Sequence, residues 1–232
     1  MMIVILAAMK EEFDAIVSYV ENPMQKQTVF GELVEGTIAN QKVVCAQSGI
    51  GKSAAAASTT YLIERYTVST ILNVGSAGGL SKDLNIGDVV VADKVTYHDL
   101  DLSAFDYPSG WDNEKYVFTP DKKLTDLVIK ANQGLDIQTH LGSIVSGDQF
   151  IHDKNQFLKI IDMFNPVLAV DMEAAAIGHI ASLYTIPYAI FRSISDVVID
   201  DNNPQDFSKY IKKAAANSAA IVNYLIHQLV GQ

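Results

Sequence analysis

Apolar residues recur along the chain in two rhythms. Short runs in which nearly every position is apolar, near 2–7, 42–48, 69–74, 87–96, 141–146, 167–170 and 187–194, predict buried strands. Stretches with apolar residues at i, i+3 and i+4, near 10–20, 52–66, 121–132, 153–163, 172–184 and 206–229, predict helices. A more alternating stretch near 28–38 reads as a hairpin arm. The order strand, helix, strand predicts an α/β fold: a single domain over 1–232, with a mixed central β-sheet flanked by helices on both faces. The longest loop runs from about 98 to 118, and loops of that length in compact domains are often functional.

Composition narrows the class. Hydrophobic residues make up 49% and charged ones 19%, which suits a packed globule and excludes a disordered chain. A formal net charge of −10 argues against nucleic acid, whose phosphates need a basic surface. Cys45 is the lone cysteine and sits in the apolar run VVCAQ, so it reads as a reduced core thiol and no disulfide framework is expected. MMIVILAAMKEE lacks the basic start of a signal peptide and leads directly into an amphipathic helix. No stretch approaches the roughly 20 apolar residues that span a bilayer, so a cytoplasmic protein with no membrane partner is expected.

In open α/β sheets ligands bind beyond the carboxyl ends of the strands. Those positions carry Met9, Glu11 and Glu12; Ser48-Gly49-Ile50-Gly51; Gly75-Ser76-Ala77-Gly78-Gly79; Gly147-Asp148-Gln149-Phe150; Met172-Glu173; and Arg192, Ser195 and Asp196. Several are glycines, which let a backbone approach a ligand closely. Three carboxylates fall on or near inward faces. Glu173 shares a helical stripe with Ile177 and Ile180, where a carboxylate is costly unless hydrogen-bonded; it is either held by the helix N-terminus or a ligand for hydroxyls. Glu12 aligns with Ile16 in the first turn of its helix and reads equally as a dipole partner or a general base. Asp196 shares a strand face with Arg192 and Ile194, and an aspartate among apolar residues can have its pKa raised enough to donate a proton.

Other motifs carry less. GIGKSA at 49–54 matches a dinucleotide fingerprint in form, but the acidic residue expected at the end of the following strand is missing, and Ala46 stands where a P-loop needs its first glycine. Tight-turn glycines are the better reading. His98, Asp99 and Asp101 in YHDLD lack a second histidine at zinc-site spacing, so they read as a hydrogen-bonding cluster and no metal is expected. No Gly-x-Ser-x-Gly elbow supports a serine hydrolase. The amphipathic C-terminal helix reads as core packing.

Taken together, AMKEE at 8–12, SGIGK at 48–52, GSAGGL at 75–80, YHDLDLSAF at 97–105, SGDQFI at 146–151, VDMEAAAI at 170–177 and RSISD at 192–196 resemble the 5′-methylthioadenosine/S-adenosylhomocysteine nucleosidase family, over essentially the whole chain and in family order. The resemblance implies a nucleoside phosphorylase-like fold and hydrolysis of the N-glycosidic bond between adenine and a 5′-thio-substituted ribose, without a cofactor. It implies that Asp196 protonates purine N7 and that Glu12, helped by Ser76 and Arg192, activates the attacking water. Glu173 would hold the ribose 2′- and 3′-hydroxyls with Met172 against the sugar. Phe150 would stack on the base, the backbone of Ile151 would read its Watson–Crick edge, Ile50 would line the sugar or alkylthio side, and Gly78 would let the backbone approach the purine; Met9 and Ser195 complete the substrate-binding set. Leu102 and Phe105 would reach the pocket of a neighbouring subunit, which implies a homodimer.

The chain departs from the family pattern at Ala7, Lys10 and Asp171, where glycine, an acidic residue and glutamate are usual, in the loop DYPSGWDNEKYVF, and in DDNNPQD at 200–206, which precedes a helix able to lid the purine. Three rivals remain. A purine nucleoside phosphorylase needs cations for phosphate, but Arg65 and Arg192 are the only arginines and Arg65 belongs at the far end of a helix. A futalosine-type hydrolase would prefer a modified inosine. A non-catalytic nucleoside-binding protein on the same fold would bind without turnover.

Overall fold

The first strand shows how the sheet is built. In Met2–Ala7 (β1), Ile3, Ile5 and Ala7 join one buried cluster while Val4 and Leu6 join another, because successive strand side chains point to opposite faces. Both faces are therefore covered, as the uninterrupted apolar run requires. The computed structural model describes residues 2–197 and 203–230, with the side chains of 203–206 and of Val230 left aside. Among the described residues nine strands form one mixed sheet: β1, Glu21–Gln27 (β2), Glu32–Ile38 (β3), Gln41–Gln47 (β4), Val68–Gly79 (β5), Val89–Tyr97 (β6), Thr139–Ser146 (β7), Ala169–Asp171 (β8) and Tyr188–Val197 (β9). The order is β2-β3-β4-β1-β5-β8-β7-β6-β9, and β9 also pairs with β5. Five strands, β5, β8, β7, β6 and β9, thus close into a ring, and the other four extend from it as an open wing.

Helices Lys10–Val17 (α1), Lys122–Gly134 (α3) and Asn203–Val230 (α6) cover one face. Phe13, Ile16, Val128, Val222 and Leu225 are packed there. Helices Lys52–Arg65 (α2) and Ala174–Leu183 (α5) cover the other, where Ala55, Leu62, Ala175 and Ile177 are buried. Lys154–Phe164 (α4) closes a smaller cluster through Ile160 and Phe164. Aspartates cap the starts of two of these helices. Asp121 accepts the Leu124 N–H at 2.9 Å, and Asp153 accepts those of Asn155 and Gln156.

Four features differ from the reading of the sequence. β2 was not anticipated, because ENPMQKQ is exposed throughout and lies at the sheet edge, so it has no apolar pattern to announce it. GSAGG is not a turn after a strand but the last five residues of β5. Arg192, Ser195 and Asp196 lie within β9 rather than at or beyond its end. Glu173 caps the start of α5 with non-helical backbone (φ −132°, ψ −33°) rather than riding its stripe with Ile177 and Ile180. The 98–118 loop contains three short 3-10 turns. Residues 200–202 of the DDNNPQD segment lie outside the described residues.

Candidate active site

The carboxyl ends of β1, β5, β8 and β9, with the loops after β4 and β7, surround a cavity of about 270 Å³. That is near the lower end of the range for small-molecule pockets. A larger groove of about 540 Å³, lined by His98, Asp99, Asp101, Gln149 and Lys159 among others, lies alongside. It is more open and holds no buried catalytic set. The smaller cavity gathers Met9, Glu12, Ile50, Ser76, Gly78, Phe150, Met172, Glu173, Arg192, Ser195 and Asp196, all expected site residues and here brought together.

Glu12 enters because β1 runs directly into α1. Its side chain is 2% exposed, so it is neither an edge residue nor a surface dipole partner. Ser76 donates its N–H and its hydroxyl to Glu12 Oε1, each at 2.9 Å, and the Met9 N–H donates to Oε2 at 3.1 Å. Burial raises its pKa above the ordinary carboxylate value, and the three hydrogen bonds and the Arg192 charge only partly oppose this. Gly75 makes room: a Cβ there would lie 3.1 Å from Glu12 Oε1.

Asp196 is placed by a β-bulge. Along β5, Ala77 pairs with Ile194 and Gly78 with Asp196, so Ser195 is the extra residue. The bulge brings Ser195 and Asp196 together at the cavity, with the Ser195 hydroxyl donating to Asp196 Oδ1 at 2.8 Å. Ile194, expected on the face of Arg192 and Asp196, packs into the core instead. Asp196 is 1% exposed.

Glu173 Oε1 accepts the N–H of Gly51, the residue that opens α2, at 2.8 Å. Among the described residues no donor reaches Oε2. Burial first, and the Asp171 charge second, push this carboxyl well above the usual range. Met172 lies beside it on the wall.

Arg192 is 2% exposed and held by five hydrogen bonds. Nε and Nη2 donate to Asp171 Oδ2 at 2.9 and 2.7 Å, Nη2 to Asn73 Oδ1 at 2.6 Å, and Nη1 to the carbonyls of Asn73 and Phe191. A guanidinium has five N–H donors, so all are engaged. Arg192 acts on Glu12 through charge rather than through a contact. Asp171 also accepts from the Ser146 hydroxyl and from the Ala174 N–H, at 3.0 Å, so one carboxylate caps α5 and anchors the arginine.

Asp171 and Phe207 line the cavity without having been expected to. Asp171 showed one signal, an acid at the end of an apolar strand. Phe207 showed none; it comes from α6, and its ring meets Phe150 edge-on at 5.6 Å. Ile50 and Phe150 are 60% and 42% exposed and form the mouth. Ile151 lies outside this cavity with its side chain buried beside Ile160 and Phe164. Leu102 and Phe105 do not reach the cavity, and Phe105 is 73% exposed. Arg65 sits in the last turn of α2 over the Tyr61 ring, at the end of the helix opposite Gly51.

The family model of the phosphorylase superfamily matches residues 2–227. The 5′-methylthioadenosine/S-adenosylhomocysteine nucleosidase of Shewanella piezotolerans is 39% identical, over 99% of this chain and 100% of the relative. The crystal structure of the nucleosidase of that name from Neisseria meningitidis, in complex with methylthio-immucillin-A, superposes with a TM-score of 0.92 at 33% identity, covering 98% of this chain and 99% of that one. The futalosine hydrolase of Helicobacter pylori gives 0.91 at 31% identity, covering 98% and 97%. The chain belongs to the phosphorylase superfamily, on the branch of the 5′-methylthioadenosine/S-adenosylhomocysteine nucleosidases.

Proposed function

We propose that this protein hydrolyses the N-glycosidic bond of 5′-methylthioadenosine and S-adenosylhomocysteine and releases adenine. The observation that carries the chemistry is one apolar cavity walled by buried carboxylates, of which Asp171 is taken up by Arg192 while Glu12, Glu173 and Asp196 are not, beside an arginine with no spare donor. Glycoside cleavage passes through an oxocarbenium-like state, which nearby negative charge stabilises. An incoming phosphate would meet the same carboxylates and receive no N–H from Arg192, so water is the better nucleophile.

The roles follow from hydrogen-bond capacity. A carboxylate offers about four lone-pair sites. Glu12 uses three on Met9 and Ser76, which fixes its direction and leaves room for one further donor, the attacking water whose proton it takes. Its raised pKa suits a group that must hold that proton. Glu173 uses one, on Gly51, and can accept the ribose 2′- and 3′-hydroxyls with the rest. Asp196, beside the Ser195 hydroxyl, supplies the proton or hydrogen bond at purine N7 that makes adenine a neutral leaving group. Phe150 and Phe207 offer apolar faces for the base, with the Ile151 backbone against its edge, while Ile50 and Met9 face the 5′-substituent.

Leu102, partly exposed, and Phe105, exposed, both outside their own cavity, suit contribution to the pocket of a second copy, and we take the active form to be a homodimer of single-domain subunits. Sedimentation together with a Phe105→Ala variant checks this: the variant should lose substrate affinity without change at Glu12. Among the described residues no helix is long and apolar enough to cross a membrane. A buried free thiol at Cys45 suits the reducing cytoplasm.

The deciding experiment follows products in phosphate-free buffer. Free adenine from methylthioadenosine, with ribose derivative and no phosphate requirement, is the expected result. Release that depends on phosphate and yields a sugar 1-phosphate would move the protein to the phosphorylases. The likeness to a futalosine hydrolase favours one second reading, and preference for a modified inosine in the same assay would support it. Binding with no product at all would leave a nucleoside-binding protein.

A further inference from the structure

Three charged residues, one from each of three separate motifs, have no part in the chemistry above: Lys52 of SGIGK, Asp99 of YHDLD and Asp148 of SGDQF. The fold brings them together. Lys52 Nζ donates to both Asp99 oxygens at 2.6 Å and lies 3.8 Å from Asp148 Oδ2. The Lys52 N–H donates to Asp148 Oδ1 at 2.8 Å, and the Asp148 N–H donates to Asp99 Oδ2 at 3.0 Å. Every pair is thus joined, across the loops that follow β4, β6 and β7.

The neighbours of these residues explain why the joint matters. Gly51, adjacent to Lys52, supplies the N–H on Glu173; its φ of +91° is a glycine conformation, and a Cβ there would lie 2.9 Å from Asp148 Oδ1. Consecutive N–H groups at the start of α2 therefore go to two carboxylates from two other loops. Ile50 and Phe150, the two mouth residues, sit two positions from Lys52 and Asp148 respectively. Lys52 Nζ also lies 5.6 Å from the centre of the Tyr97 ring.

We propose that Lys52, Asp99 and Asp148 are positioning residues for the ribose: they hold the α2 start so that the Gly51 N–H orients Glu173, without touching substrate themselves. The proposal rests on the reading of Glu173 as the ligand of the ribose hydroxyls. The partly exposed side chains (Lys52 26%, Asp99 21%, Asp148 49%) fit a network that tunes geometry rather than one that holds the core.

The test measures kcat and KM for methylthioadenosine, and the Kd for adenine, which has no ribose, in Asp99→Asn, Lys52→Gln and the double variant, with Glu173→Gln in parallel. Each single variant should raise KM about five- to tenfold, with kcat and adenine Kd within about twofold, since a charge-assisted hydrogen bond is lost at a distance from the reacting atoms. The double variant should raise KM by less than the product of the singles, the sign of a shared network. Unchanged KM in the singles while Glu173→Gln raises it overturns the proposal alone. Equal loss of adenine and nucleoside affinity also overturns it, as general loosening. Unchanged KM in Glu173→Gln removes the underlying ribose reading, and the proposal with it.

Discussion

Glu12 and Glu173 are both carboxylates at the start of a helix, both buried, and both pushed up in pKa chiefly by that burial, yet they are held in opposite ways. Glu12 takes three donors, two of them from Ser76, and is locked in direction. Glu173 takes a single backbone N–H and keeps an oxygen that no described protein donor reaches. A side chain that moves a proton needs a fixed aim and one open position. A side chain that binds hydroxyls needs open acceptors. Exposure and pKa direction do not separate the two residues; the count of donors does.

The largest expected effect tests the first half of that contrast. Glu12→Gln and Asp196→Asn should each lower kcat by about 10²–10⁴-fold while nucleoside binding stays within a few-fold, since each removes one proton-transferring group. Adenine release and direct titration with nucleoside read the two quantities, and near-normal turnover in either variant would break the assignment. Asp171→Ala should act on the scaffold that serves both glutamates. It strands the buried Arg192 charge, which costs about 3–5 kcal/mol of folding stability. Urea unfolding checks it, and a loss under about 1 kcal/mol, the range of an exposed pair, would mean the pair contributes as a surface ion pair does.

Glu173→Gln sharpens the other half. Loss of the acceptor oxygen, which leaves a buried ribose hydroxyl unsatisfied at about 1–3 kcal/mol, should raise the Kd for nucleosides about five- to a hundredfold and leave adenine binding alone. The smallest effect is in pH dependence. With the folded-state pKa of Glu173 above the ordinary 4.5, the folded state binds the extra proton, so its contribution to stability is present below pH 4.5 and is lost as pH rises through the folded value. The wild-type protein should therefore lose stability relative to Glu173→Gln as pH rises from about 4.5 into the neutral range. Parallel urea midpoints across that range would break the argument that burial, rather than a donor, governs this group.

Much of the frame was legible in the sequence. The apolar runs that are buried on both faces announced their strands, and the strand-end rule selected Glu12, Glu173, Arg192 and Asp196. β2 was not legible, because an exposed edge strand has no apolar face to record. The run of Gly75 to Gly79 reads as a turn by composition, yet partners on both sides, β8 and β9, keep it in the sheet. Asp171 stood out only as a departure from the family's glutamate, and only the fold shows Arg192 lying against it. Lys52 and Asp99 are 47 positions apart and Asp99 and Asp148 49, so no local pattern links them.

The sequence by itself determined which residue types stand at the ends of which strands, because periodicity and turn chemistry are local properties. The tertiary structure decided what each of those residues can do. A bulge at Ser195 turned Asp196 to the cavity and Ile194 to the core, Asn73 and Asp171 used up the donors of Arg192, and Ser76 and Gly51 set how many acceptor sites Glu12 and Glu173 keep. Hydrogen-bond capacity is settled by partners distant in the chain, so the roles of the two glutamates became distinct only when the strands had been brought side by side.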